Sequence, residues 1–124
     1  MIHLDTNYLI GLLVRGSAPA ADVDKWLAAD LPLAVSAVAW SEFLNGPAAQ
    51  IEIDRVAAVI QSRVVPFGPA EAVLAADLFN KTGRRRGSRF NCFIAAAAIT
   101  AQADLATLDL SDFKAFVPHG LKLA

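Results

Sequence analysis

Carboxylates that recur at equivalent places in an alternating strand and helix pattern are the residues of this chain whose types and spacing could do chemistry. Asp5 ends the apolar run Ile2-His3-Leu4 and precedes a helical pattern. Asp109 lies just past Leu105-Ala106-Thr107, at the corresponding end of a later strand, and Asp112 follows one turn on. Glu42 falls in the second turn of a helix entered from a strand over 33–35. In an open α/β sheet ligands collect beyond the carboxyl ends of the strands, so all four residues point at one edge. Clustered carboxylates repel one another and lose hydration, and Mg²⁺ or Mn²⁺ gives such a cluster a reason to exist. Hard oxygen ligands at roughly 2.0–2.2 Å neutralise the charge and leave positions open for water and phosphate. A cation there can polarise water and offset charge on a phosphodiester. Each residue also has an ordinary explanation. Asp5 before Thr6 can be a turn or cap residue, Glu42 a partly exposed glutamate, and Asp109 and Asp112 turn chemistry. Shared placement is what favours a site.

The elements that must position these groups follow from periodicity and punctuation. A short buried strand over 2–5 leads into a helix from Thr6, a potential N-cap, to about Val14, with Gly16 as the stop. Pro19 suits the first turn of a second helix, where Asp22 and Asp24 sit near the positive end and Val23, Trp26 and Leu27 share a face. After the strand over 33–35, Ser36 can cap a helix that runs to Asn45 and stops at Gly46-Pro47. Ile53, Val56 and Ile60 mark one face of a helix over 51–62. A third strand over 64–67 is closed by Pro66, and Pro69 opens a helix with Glu71 in its first turn and Gly83 past its end. Ser88 can cap a helix from Arg89 to about Ala101, the strand over 105–107 follows, and residues 121–123 fit a fifth strand at an edge. Short apolar strands separated by helices predict an α/β fold: a three-layer αβα sandwich around a short parallel sheet of four to five strands.

Length and composition set limits on function. The chain has 124 residues, 56% of them hydrophobic, which is enough for one domain over 1–124 with a sizeable core. A formal charge of −1 gives no global basic field for nucleic acid, so RNA contact would need a local cluster. The single cysteine, Cys92, excludes an internal disulfide and a thiolate-rich zinc site. His3 and His119 are far apart and lack ligand spacing; His3 reads as structural and His119 as loop. No apolar run reaches the roughly 18 residues of a membrane helix, and the first residues lack the features of a signal peptide. A cytoplasmic, soluble protein is the expectation.

Four stretches, in order over nearly the whole chain, resemble the signatures of PIN domains. They are Leu4-Asp5-Thr6-Asn7, Ser41-Glu42-Phe43, the segment Arg85 to Ala96, and Ala106-Thr107-Leu108-Asp109-Leu110-Ser111-Asp112-Phe113. In wording they are most similar to VapC-type toxins. That resemblance implies a Mg²⁺- or Mn²⁺-dependent ribonuclease, a cognate antitoxin protein and a homodimer. Carried over by position, it implies Asp5, Glu42 and Asp109 as metal-holding catalytic residues, with Thr6 and Asp112 in support. Asn91 stands where the family has an aspartate, before Cys92-Phe93-Ile94-Ala95-Ala96. An amide keeps a carbonyl ligand but removes a charge whose gross attraction to a divalent ion is roughly 8 kcal/mol at about 4 Å and an effective dielectric of about 20. Desolvation and screening cancel most of that, leaving an appreciable loss of metal affinity. Asn91 is also readable as a plain polar group in a first helical turn. A weak natural enzyme, a degenerate toxin and a substitution made to tame toxicity all fit the residue.

The compositional break Thr82-Gly83-Arg84-Arg85-Arg86-Gly87-Ser88 places Arg84, Arg85 and Arg86 immediately before that helix, with Arg89 at its start. These arginines could hold RNA phosphates or a partner's acidic groups; a solvated charge run is the ordinary alternative. Trp26, Trp40, Phe43, Phe79, Phe90 and Phe93 read as core candidates by helical spacing, and Cys92 as an inert buried thiol. Exposed aromatics among the early helices could form a dimer face or a groove for an antitoxin helix. The sequence therefore predicts a divalent-metal-dependent endoribonuclease toxin of a type II pair, weakened at Asn91. The alternative is a degenerate PIN-fold module that binds antitoxin or RNA without cleaving.

Overall fold

The computed structural model describes residues 1–124. Five strands are present: β1 (Ile2–Leu4), β2 (Leu33–Ser36), β3 (Val64–Val65), β4 (Asp104–Ala106) and β5 (Lys122–Leu123). They form one sheet in the order β3-β2-β1-β4-β5, and every neighbouring pair is parallel. Parallel strands need crossover connections, and helices supply them: α1 (Thr6–Gly11), α2 (Ala18–Ala28), α3 (Ala37–Leu44), α4 (Gln50–Val59), α5 (Pro69–Lys81), α6 (Arg89–Thr100) and α7 (Leu110–Phe113). All residues of β1 and β2 are buried on both faces, as expected when helices cover a sheet from both sides. The expected αβα sandwich is what forms, at the upper end of the expected strand count.

Packing centres on β1 and on α6. A cluster of 23 buried residues joins Leu4, Leu33, Val35 and Leu105 of the sheet to Ile94, Ala95, Ala96 and Ala98 of α6. The alanine run in α6 lets that helix lie close on β2 and β4, while Phe113 and Phe116 close the core beneath the last strand. Gly11 has an analogous role on the other side. A Cβ there would overlap the ring of Pro19, so the α1–α2 approach needs glycine.

Several boundaries differ from the sequence expectation for local reasons. The first helix stops at Gly11 rather than near Val14, and the chain then turns through Gly16 at φ +76°. Its N-cap is Asp5, whose Oδ1 accepts from Thr6 N; the Thr6 hydroxyl is therefore free for another partner. Ser36 does cap α3, accepting from Ala39 N at 3.1 Å. Ser88 makes no cap bond to α6, because its hydroxyl donates to Arg85 O across a 3-10 turn over Arg86–Ser88. Leu27 is exposed rather than core, and Asp22 serves as acceptor for the Tyr8 hydroxyl at 2.8 Å. The short helix α7 and the 3-10 segment over Lys114–His119 have no counterpart in the sequence reading. No helix is long and apolar enough to cross a membrane.

One core residue ties stability to pH. His3, in the central strand, is 1% exposed and neither ring nitrogen has a hydrogen-bond partner. Burial, assisted by the N-terminal ammonium, lowers its pKa from 6.5 to about 4. The unfolded chain therefore takes up a proton on His3 before the folded one does. The stability this neutral imidazole permits is complete above pH 6.5 and is lost as pH falls towards 4. Denaturant melts at pH 7.5 and pH 5 should show a His3 contribution to that loss of about 2 kcal/mol. His3→Leu should lack it; an equal drop in the variant would assign the acid sensitivity elsewhere.

Candidate functional site

The crevice at the carboxyl ends of β1 and β4 is built from the turns that leave those strands. Asp5 directly follows β1 and is anchored by its backbone N–H to Ala106 O at 2.9 Å, which fixes β1 against β4. Its carboxylate is only 5% exposed, with two donors. Oδ1 accepts from Thr6 N at 2.8 Å, and Oδ2 accepts from the Thr107 hydroxyl at 2.7 Å. The Thr107 oxygen accepts in turn from Asp109 N at 3.0 Å, orienting the turn that carries Asp109. From Thr6 the hydroxyl donates to Glu42 Oε1 at 2.9 Å, reaching α3 across 36 positions of sequence. Asn7 closes the other end: its Nδ2 donates to Asp109 Oδ2 at 3.2 Å while its Oδ1 accepts from Leu108 N at 3.1 Å. Glu42, Thr6, Asp5, Thr107, Asp109 and Asn7 thus form one connected polar chain. Asn7 and Thr107 received no role from the sequence, although both lie inside the quoted motifs; a side-chain donor one or two residues from each aspartate was the available signal.

The electrostatics match this layout. Burial raises the Asp5 pKa above its ordinary value, the bonds from Thr107 and Thr6 oppose the rise, and the charges of Glu42 and Asp109 add to it. The three carboxylates are therefore near enough to feel one another. They do not close into a ready cage: no three Asp, Glu, His or Cys side chains group tightly enough to hold an ion by themselves. The donor set is nevertheless hard oxygen, and no protein donor occupies Glu42 Oε2 or Asp109 Oδ1. These residues suit Mg²⁺ or Mn²⁺ rather than a thiophilic metal.

Asn91 and Asp112 lie outside that hydrogen-bonded chain. They face a small polar hollow of about 140 Å³, shared with Arg85, Gly87 and Ser88. Asp112 is one turn of α7 from Asp109, so the hollow continues the same edge of the sheet. The four arginines divide. Arg85 lines the hollow, whereas Arg84 and Arg89 sit over the Phe79 ring at 5.4 and 5.2 Å from its centroid, and Arg84 also bonds the Asn80 side chain. Arg86 is exposed in the 3-10 turn. Burial pushes the Cys92 thiol up, which keeps it protonated and chemically quiet.

A raised Asp5 pKa has a sign that stability can read. Its contribution to folding is present at low pH and is lost as pH rises through the folded-state pKa, because ionising Asp5 in the fold costs more than in the open chain. Asp5→Asn should therefore melt at a higher temperature than the parent at pH 7.5. By carbon-detected NMR, Thr107→Val should raise the Asp5 pKa further and Glu42→Gln should lower it. Asp5 titrating at its ordinary value in all three proteins would contradict the geometry.

The PIN domain family model matches residues 2–116. No curated protein matches the sequence. Among solved structures, FitAcB from Neisseria gonorrhoeae superimposes with a TM-score of 0.75 at 20% identity, covering 100% of this chain and 97% of that one. VapBC2 from Rickettsia felis, bound to a DNA fragment from its promoter, gives 0.74 at 19% identity, with 100% and 98% covered. VapC20 of Mycobacterium tuberculosis, a toxin that cleaves the sarcin-ricin loop, gives 0.67 at 18% identity, with 93% and 95% covered. At these identities the structures speak to the fold. The family match spans all four carboxylates of that edge, Asp5, Glu42, Asp109 and Asp112, together with the elements that carry them: this chain belongs to the PIN domain family.

Proposed function

We propose that the chain is a divalent-metal-dependent endoribonuclease, the toxin of a VapC-type toxin–antitoxin pair, acting in the cytoplasm and weakened by Asn91. The observation that carries this reading is the polar chain that gathers Asp5, Glu42 and Asp109, distant in sequence, at the carboxyl ends of β1 and β4. A neighbouring solved structure described as a toxin–antitoxin complex, and another described as a toxin that cleaves the sarcin-ricin loop, lend it support.

In this mechanism Asp5, Glu42 and Asp109 would hold Mg²⁺ or Mn²⁺, with the Asn91 carbonyl as a weaker fourth contribution. Bound there, such an ion would supply polarisation of the attacking water and charge neutralisation at the phosphodiester. The remaining work belongs to the protein's own groups. Thr107 and Thr6 fix the two oxygens of Asp5, and Asn7 fixes Asp109, so the carboxylates need little reorganisation as charge develops. Arg85, beside Asn91, supplies a planar donor fork for a backbone phosphate, and Asp112 opposite holds that hollow polar. Arg84, Arg86 and Arg89 extend the positive strip on the RNA path. A homodimer and a cognate antitoxin complete the proposed assembly.

A second reading has its own support: Asn91 removes a charge, and the carboxylates do not close into a three-ligand cluster. On that reading the chain is a module that binds antitoxin or RNA without cutting. Cleavage assays on structured and single-stranded RNAs with Mg²⁺ or Mn²⁺ separate the two. The nuclease reading expects weak cleavage by the parent, a gain of about tenfold or more in Asn91→Asp, and a loss of about 100-fold in Asp5→Asn. No cleavage even by Asn91→Asp would favour the binding module.

A further inference from the structure

Phe90 departs from the packing that its helical spacing suggests: it is 58% exposed, on the solvent side of α6. It is not loosely placed. Its ring meets Phe93 edge to face, with centroids 5.9 Å apart and planes at 86°, and Phe93 meets Phe67 in the same way at 5.3 Å and 65°. The three rings floor an open groove of about 430 Å³ whose opposite wall is α3, contributing Ser41, Glu42 and Asn45. That volume falls within the roughly 300–1,000 Å³ typical of sites for a single small ligand.

We infer that this groove takes one unpaired RNA base, stacked on Phe90, with its polar edge towards Ser41 and Asn45. The inference rests on the ribonuclease reading above and specifies which part of the substrate is recognised. Three features lead to it. Glu42 lines the groove and also accepts the Thr6 hydroxyl in the carboxylate chain, so an occupant here is continuous with a phosphodiester at the catalytic edge. Beyond Glu42 at its catalytic end, the wall offers the neutral donors and acceptors of Ser41 and Asn45 opposite the aromatic floor, which matches a flat group with donors and acceptors only around its rim. On the far side of Phe67 and Phe93 an adjoining groove carries Arg84 and Arg89, giving positive charge where the anionic backbone of such a ligand would run. A base held this way must be unstacked, so the groove selects loops and single strands over duplex RNA.

The test uses the full chain and a fluorescent single-stranded RNA hexamer, with binding read by anisotropy in the absence of divalent ion. Phe90→Leu keeps the volume but loses the ring face, and should weaken binding about tenfold; Phe90→Trp should bind at least as tightly as the parent. Replacing one nucleotide of the hexamer by an abasic residue should cause a similar loss in the parent and little further loss in Phe90→Leu. Because Phe90 is exposed, thermal melts of the variants should match the parent. Equal hexamer binding by parent and Phe90→Leu would overturn the base site while leaving the nuclease reading intact. A parent that binds no hexamer would likewise overturn the base site, while the nuclease reading stands or falls on the cleavage assays with Mg²⁺ or Mn²⁺. If Phe90→Leu instead converts a dimer into a monomer in sedimentation, the groove is an interface between copies and the proposal fails.

Discussion

Burial of the Asp5 carboxylate at the end of the central strand is the constraint from which the rest of the site follows. Withdrawing an ionised carboxylate from water costs several kcal/mol unless donors or a cation replace the lost hydration. Two donors are supplied by the chain, one from the first turn of α1 and one from the turn after β4. Because β1 pairs with both β2 and β4, that requirement draws three separate segments to one point. Thr107 links Asp5 to the Asp109 turn, and Thr6 links it to α3. Burial is the main cost to the ionised Asp5 carboxylate, and the negative charges of Glu42 and Asp109 add to it. A divalent cation is the simplest group that would relieve it.

The same reasoning explains the character of Asn91. It shares a hollow with one basic side chain, Arg85, and one acidic side chain, Asp112. An aspartate in that place would tip the hollow negative and favour a cation; an amide leaves it close to neutral and open to a phosphate oxygen.

Much of this was legible in the residues. Alternating apolar runs and helical spacing gave the parallel sheet with covered faces, since neither face of β1 or β2 reaches solvent, and Pro69 and Gly83 marked the ends of α5 closely. Carboxylates at strand ends located the crevice before any geometry. What stayed hidden depends on partners in space. Asp5 rather than Thr6 caps α1, and the Thr6 hydroxyl turns instead to Ala39 and Glu42 on another helix, partners that local sequence does not reveal. Four adjacent arginines look alike in sequence, yet Phe79 captures two of them because the chain reverses at Gly83 with φ +91°. Helical spacing placed Phe90 with the core aromatics, but it lies on the outward side of α6 while Cys92 in the same turn faces the core. The orphan nitrogens of His3 could not be read from a strand pattern at all.

The most direct measurement of the central claim is calorimetric titration of Mn²⁺ into the parent, Asp5→Asn and Asn91→Asp proteins. A cation relieving the charge around Asp5 predicts saturable, weak binding by the parent, its loss in Asp5→Asn, and tighter binding in Asn91→Asp. Absence of saturable binding in both the parent and Asn91→Asp, or binding that survives Asp5→Asn unchanged, would contradict the account.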